Sequence, residues 1–262
     1  QLVMEDPEED VDISLETVVT VYGTVTTEER SPYQHMEIKT KKITIVSRAH
    51  SGLPITINSH HTHLNLPTIL DNRPLSIRNL RTRSVFTIQS EIIRLFNEYM
   101  RENSFTEIKS PKIISTGTEG GTNIFELTYF DRPAYLAQSP QFYKQMMVGS
   151  GFERVFEIGP VFRAEKHDTI RHLNEYTSMD FEMGFIRDEQ DIIDMQEDFI
   201  HYMVKAIQEK YGDILDEFKS IIHLPNRIPR IHFLEALKIA CSYGVKDEDR
   251  DITPEGERLI CA

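Results

Sequence analysis

The sequence predicts an α+β protein, a mainly antiparallel sheet flanked by helices. Three observations predict it. Two long segments, 84–99 and 189–211, carry apolar residues at helical spacing. Short β-branched runs, broken by Gly and Pro, lie between them. The stretch from Phe162 to Met183, F-R-A-E-K-H-D-T-I-R-H-L-N-E-Y-T-S-M-D-F-E-M, reads as two antiparallel strands joined by a charged loop.

Taken in order, Met4 to Asp12 is acidic with one proline and reads as a loop or tether. Thr17–Val25 (T-V-V-T-V-Y-G-T-V) and Glu37–Val46 (E-I-K-T-K-K-I-T-I-V) are β-branched and partly alternating, hence strands. Gly23 inside the first predicts a bend or bulge. Asn58 to Asn72 is loop-like. Its S-H-H-T-H run could offer three imidazoles to a metal, but without nearby Cys or acidic ligands a linker is preferred. Ser84 then caps a helix whose apolar face is Val85, Ile88, Ile92, Phe96 and Tyr99. Pro111 closes the strand that follows. Glu189 to Tyr211 is the second helix, with Ile192, Met195, Phe199, Met203 and Ala206 on one stripe and Gly212 as its stop. The two methionines fill the core on this assignment.

The bulk numbers exclude some classes. At 262 residues the chain can hold one large domain, or a large and a small one. Charged residues at 27% and a mean hydropathy of −0.38 describe an ordinary soluble chain. No apolar run reaches bilayer length, and nothing at the start reads as a signal peptide. Cys241 and Cys261 stand far apart with no C-x-x-C, which argues against a disulfide scaffold or thiolate metal site and suits a reducing cytosol. The net charge of −13 works against non-specific nucleic-acid binding. Basic residues do cluster once, as Arg73, Arg78, Arg81 and Arg83. That group reads as a solvated connector on its own.

The chemistry concentrates at 162–183. Arg163 and Glu165 stand two apart, so on a strand they share a face, and Arg171 lies beyond the loop. Guanidinium groups suit planar, bidentate binding of phosphate and carboxylate oxygens. Asp180 and Glu182 alternate on the returning strand. Alone, an F-R-x-E would be a solvated hairpin with surface ion pairs.

It is not alone. V-F-E-I-G-P-V-F-R-A-E (155–165) with R-H-L-N-E (171–175) resembles motif 2 of the class II aminoacyl-tRNA synthetases. F-T-E-I-K-S-P-K-I, Phe105 to Ile113, resembles their motif 1. T-E-G-G-T-N-I-F and A-Q-S-P-Q-F-Y-K resemble the aspartate-specific subgroup, of the archaeal and eukaryotic-cytosolic kind. Order and spacing agree over about 70–187, and four coupled motifs rarely coincide by chance.

This resemblance implies a class II catalytic fold at 84–262, a hinge at 58–83, and at 1–57 the last strands of an OB-fold anticodon-binding barrel. It implies ATP-dependent attachment of L-aspartate to tRNA(Asp) through an aspartyl-adenylate, in the cytoplasm, by a homodimer. Arg163 would bridge the α-phosphate and the amino-acid carboxylate, and Glu165 would accept from the adenine amino group. Arg171 and His172 would meet the outer phosphates, the backbone at Leu173 would hold the nucleotide, and Tyr176 would stack on adenine. Glu119, in a loop with paired glycines, would bind the substrate ammonium. Ser139, Gln141, Lys144, Asp180 and Glu182 would complete the aspartate site, with Lys144 offering its charge to the substrate side chain. Mg²⁺ is implied as well, with ligands expected beyond this sequence. The third class II motif, a G-x-G-x-x-R near the C-terminus, is missing, so the chain is expected to be a fragment that is inactive alone. Two alternatives stand beside this: an asparaginyl or non-discriminating synthetase, which Lys144 argues against because an amide gains little from a buried ammonium, and a truncated, non-catalytic paralogue acting as a binding module.

Overall fold

A computed structural model describes residues 2–3, 13–31, 35–50, 52–57, 64–117, 124–166, 172–220, 222–244 and 252–261. The chain divides into two compact units, 1–83 and 84–262.

The first unit is built on a three-stranded sheet of β1 (Leu2–Val3), β2 (Val18–Thr27) and β3 (Met36–Ser47), in the order β1-β3-β2. The expected strands are these last two. They pair antiparallel from Val18↔Ser47 to Thr27↔Met36, and the register slips at Tyr22/Gly23. Gly23 is required there by close approach. A Cβ at that position would lie 2.3 Å from the Lys39 carbonyl oxygen, closer than any side chain tolerates. Tyr22, Val25 and Val46 stay exposed, while Val19, Val21, Ile43 and Ile45 are half-buried.

The segment expected as a loop, Asn58 to Asn72, is partly helical: α1 (Leu66–Asp71) occupies it, and α2 (Arg73–Ser76) follows directly. Local chemistry explains the difference. The Asn65 side chain accepts the Thr68 N–H at 2.9 Å, and a proline sits in the first turn, a pair of start signals that outweighs the polar composition. Ser59 to His63 and the acidic stretch at 4–12 lie outside the described residues. Of the clustered arginines, Arg78 pairs with Glu16 at 3.0 Å.

The second unit centres on α3 (Leu80–Glu102), which begins before its expected start. Ser84 is therefore a buried position inside the helix, not its cap, and Val85 is exposed. The buried stripe is Leu95, Phe96 and Met100, with Tyr99 packed beside it. Short strands β4 (Thr106–Glu107) and β5 (Ile113–Ile114) follow. β6 (Glu126–Tyr129) and β7 (Arg132–Leu136) form a hairpin that pairs with β5 in the order β5-β7-β6. After α4 (Gln141–Met147) come the two longest strands of this unit, β8 (Arg154–Phe162) and β9 (Glu175–Met183). They pair antiparallel without a slip from Arg154↔Met183 to Phe162↔Glu175, and β4 adds to β8 in parallel.

A strand's side chains alternate between faces, and this sheet uses the alternation fully. One face is aromatic. Phe156 and Phe181 pack with Phe105, with Phe96 and Met100 of α3, and with Met195 and Phe199 of α5 (Gln190–Glu217). Rings meet edge-to-face at 5.9 Å for Phe96–Phe156, 5.1 Å for Phe96–Phe199 and 5.8 Å for Phe105–Phe181. Such pairs add about 0.5–1.5 kcal/mol each beyond their burial. Gly212 does not stop α5. The helix kinks at Tyr211 (φ −129°, ψ 27°) and runs on to Glu217.

Residues 222–231 then run back along α5 as an extended strap. Gln208 donates to the Ile222 carbonyl at 3.2 Å, Glu197 accepts the Ile228 N–H at 2.7 Å, and Arg230 binds Asp194 at 2.6 Å and Glu197. The strap ends at α6 (Phe233–Ser242), which packs on α7 (Pro254–Ile260) through Ala240 and Gly256.

His201 joins strap and helix. Its Nδ1 lies 2.9 Å from the Glu197 carbonyl and its Nε2 lies 2.8 Å from the Pro225 carbonyl. Only the imidazolium donates from both nitrogens. The Glu197 and Pro225 carbonyls therefore raise the ring above its usual 6.5, and the charges of Glu197 and Asp198 add to the effect. A raised histidine stabilises the folded form fully below the unfolded value and loses that contribution as pH rises through the folded one. Protection of the 222–228 amides, corrected for intrinsic exchange, should thus be greater near about pH 6 than about pH 8. His201→Gln should remove the difference, as read by hydrogen exchange.

Candidate active site

The face of β8 and β9 opposite the aromatic core carries the charges. Directly opposed residues of an antiparallel pair point the same way. Glu157↔Asp180, Val155↔Glu182, Gly159↔Ser178 and Val161↔Tyr176 therefore share this face. From Tyr176 to Glu182 it spans roughly 20 Å.

One end is a charge cluster. Lys144 reaches from α4, which starts just after Pro140, and is 3% exposed. Its Nζ lies 3.4 Å from Asp180 Oδ1, 3.4 Å from Glu182 Oε2 and 3.3 Å from the Phe181 carbonyl. Gln141 donates to Glu182 Oε2 at 3.0 Å, Ser178 donates to Asp180, and the Ser139 hydroxyl accepts the Gln141 N–H at 3.0 Å. A buried ammonium needs such partners to be tolerated. Two carboxylates around one ammonium leave this end with a net negative charge, and both acids keep about a quarter of their side-chain surface open. The spacing of Gln141 and Lys144 on one helical turn is what aims both at β9.

The other end is a cleft of about 440 Å³ lined by Arg163, Glu165, His172, Leu173 and Tyr176. The Arg163 guanidinium sits over the Tyr176 ring at 5.9 Å, and His172 Nε2 lies 3.5 Å from Glu165 Oε2. β8 ends at Phe162, so Glu165 is not on the strand as its spacing suggested. Instead the Glu165 N–H turns back to the Arg163 carbonyl at 2.8 Å, and the Arg163 N–H donates to the Asn174 carbonyl at 2.9 Å. The Asn174 amide, oriented to satisfy its neighbours, donates to the Arg163 and Glu165 carbonyls at 3.1 Å each. That side chain fixes the turn and was missed from sequence.

A third group, also missed, lies on the same face. The Glu157 carboxylate, 2% exposed, meets Lys112 Nζ at 2.6 Å and the Ser110 N–H at 3.1 Å. A glutamate inside the apolar run V-F-E-I-G-P-V-F was the available signal. Glu119 and Arg171 lie outside the described residues.

The string Gly149–Arg154 spells G-x-G-x-x-R, yet its glycines lie in the turn between α4 and β8. Arg154 faces away from the cleft, over the Phe105 ring at 5.5 Å, and donates to the Asn103 carbonyl. It does not serve as the third motif. Among the described residues no group of three or more His, Cys, Asp or Glu is placed to hold a metal ion. Nor, among them, is any helix long and apolar enough to cross a membrane.

Chemically, the face offers a cation fork and an aromatic ring at one end, and hydrogen-bond-accepting carboxylates around a buried ammonium at the other. The aspartate–tRNA(Asp) ligase of Pyrococcus abyssi is 41% identical over 250 residues, covering 95% of this chain and 57% of that protein. The aspartate–tRNA(Asp/Asn) ligase of Deinococcus radiodurans is 40% identical over 249 residues, covering 94% and 56%. The chain thus spans a little over half the length of these curated relatives. Among solved structures, asparaginyl-tRNA synthetase from Pyrococcus horikoshii with asparaginyl-adenylate superposes with a TM-score of 0.86 at 30% identity, covering 95% of this chain and 57% of that one. Aspartyl-tRNA synthetase from Entamoeba histolytica superposes at 0.77 and 29% identity, covering 94% and 54%. Residues 65–261 match the family described as tRNA synthetases class II (D, K and N). With three quarters of its length inside that match, the chain belongs to the class II tRNA synthetases of the D, K and N group.

Proposed function

We propose that the protein carrying this chain joins L-aspartate to tRNA(Asp) in the cytoplasm, using ATP. The observation that carries the choice of amino acid is Lys144, an ammonium buried to 3% exposure and facing the charged sheet. Asp180 and Glu182 already compensate that charge, so its part in the choice is to donate to the substrate side chain, a contact stronger to a carboxylate than to a neutral amide oxygen. The names of the relatives support the same choice.

In the first step an oxygen of the aspartate α-carboxylate attacks the α-phosphorus of ATP. The bond to the outer phosphates breaks, and pyrophosphate leaves with the electron pair. Arg163 is assigned to the α-phosphate and the attacking carboxylate, where its planar fork can serve both. Glu165, His172, Leu173 and Tyr176 are assigned to the nucleotide, together with Arg171. Tyr176 lines the same cleft, and its ring offers adenine the face that Arg163 does not cover. Asp180 and Glu182 are assigned to the substrate ammonium, with Ser139, Gln141 and Glu119 completing its surroundings. In the second step a ribose hydroxyl of the tRNA displaces AMP. Neither step needs a protein nucleophile. Positioning and charge compensation carry the rate. The β2–β3 hairpin, with Tyr22 exposed beside Lys42, is assigned to an OB-type barrel that meets the tRNA.

The complete protein should exchange labelled pyrophosphate into ATP only when L-aspartate is present, and equal exchange with L-asparagine would sink the specificity. Arg163→Ala should lower that exchange by about a hundredfold or more, since groups of this kind are each worth such factors. Near-normal turnover would remove Arg163 from its role. The complete protein is also assigned as a homodimer through α3 and the 105–113 segment, where Val85 and Phe86 are exposed. Sedimentation at micromolar concentration should give twice the chain mass, and a monomer would refute the dimer.

A further inference from the structure

We propose that the pair of half-buried Lys112 with buried Glu157 is the positioning joint of the amino-acid end of the site. The proposal rests on the aspartate-activating reading above. Glu157 grips the 110–112 segment twice, through the Lys112 ammonium at 2.6 Å and the Ser110 N–H at 3.1 Å. Lys112 Nζ also donates to the Ser110 hydroxyl at 3.0 Å, which closes the cluster. Gly159 gives it room: a Cβ there would come within 3.0 Å of Glu157 Oε1 and 3.5 Å of Lys112 Nζ.

The backbone of the same lysine holds the next segment. Its carbonyl accepts the Ala137 N–H at 2.9 Å, and Ile113 and Ile114 pair with Leu136 and Tyr135. Ala137 opens the short run A-Q-S-P that delivers Gln141 and Lys144 on α4. Glu157 itself stands directly opposite Asp180, the carboxylate that Lys144 approaches. The pair therefore ties the segment that supplies Gln141 and Lys144 to the strands that supply Asp180 and Glu182. The nucleotide cleft has its own fastening in the Asn174 turn and the β8–β9 ladder. The Ala137 carbonyl also accepts the Phe162 N–H at 2.9 Å, a link to β8 that does not pass through the pair, so loosening the joint shifts the Gln141 and Lys144 side of the site more than the Arg163 side.

Breaking a buried pair from one side also leaves a lone charge, so the test separates positioning from general damage. In the complete protein, Lys112→Met and Glu157→Gln should each raise KM for L-aspartate about tenfold, in line with sub-ångström to ångström misplacement. KM for ATP should stay within about twofold, because uniform damage would move both constants together. Gly159→Ala keeps both charges while crowding the pair, and should shift the aspartate constant in the same direction if either charge variant fails to fold. Amide exchange over 137–144 is measured in parallel and should quicken in every variant. Unchanged constants, a joint rise in both, or unaltered exchange at 137–144 would overturn the proposal. If the unaltered protein shows no aspartate-dependent exchange, the functional reading fails instead. The amide data then decide the joint by themselves: quickened exchange supports it and unaltered exchange refutes it.

Discussion

The uninterrupted antiparallel pairing of β8 and β9 is the constraint on which the second unit depends. A slip of one residue in either strand would move all of that strand's side chains to the other face. Phe156 would leave the aromatic core for Glu157 to enter it, or Phe181 would leave it for Asp180 and Glu182. The register is therefore over-determined. The apolar face pulls one way by burial, and the charged face pulls the same way because its acids find partners only there.

That charged face is assembled from pairs, not from isolated ions. Lys144 stands between Asp180 and Glu182, Lys112 beside Glu157, and Arg163 above Tyr176. The two lysine arrangements each satisfy a group whose solitary burial would cost several kcal/mol. The acids nearest Lys144 keep part of their surface open, so the cluster is complete enough to fold and open enough to meet a ligand. Glu157, by contrast, is closed off from solvent. The same residue type thus does two kinds of work a few ångströms apart, decided by how much surface remains.

Much of this was legible in the sequence, because period-2 and helical patterns are local. The strands at 18–27, 36–47 and 175–183, the helix through Phe96 and the one through Phe199 follow from apolar spacing alone. What escaped depends on partners distant in the chain or on capping geometry. Ser84 looked like a cap, but α3 starts four residues earlier at Leu80. Gly212 looked like a stop, but the chain bends at Tyr211 and continues as helix. Among site residues, the spacing of Gln141 with Lys144 and of Asp180 with Glu182 was sufficient to put each pair on one face. Asn174 and the Lys112–Glu157 pair were invisible because their partners are set by tertiary contact, 45 residues apart in the latter case.

The strap at 222–231 has a consequence for how this region tolerates change. Helix α5 recognises it largely through main-chain atoms: the carbonyls of Ile222 and Pro225 and the N–H of Ile228. Main-chain groups are the same whatever residue carries them. The specification of the docked path is consequently written on the helix, at Glu197, His201 and Gln208, while most strap positions are free to drift. Divergence should be lopsided across this contact, with the helix holding most of the address and the strap contributing one side chain, Arg230, besides its backbone.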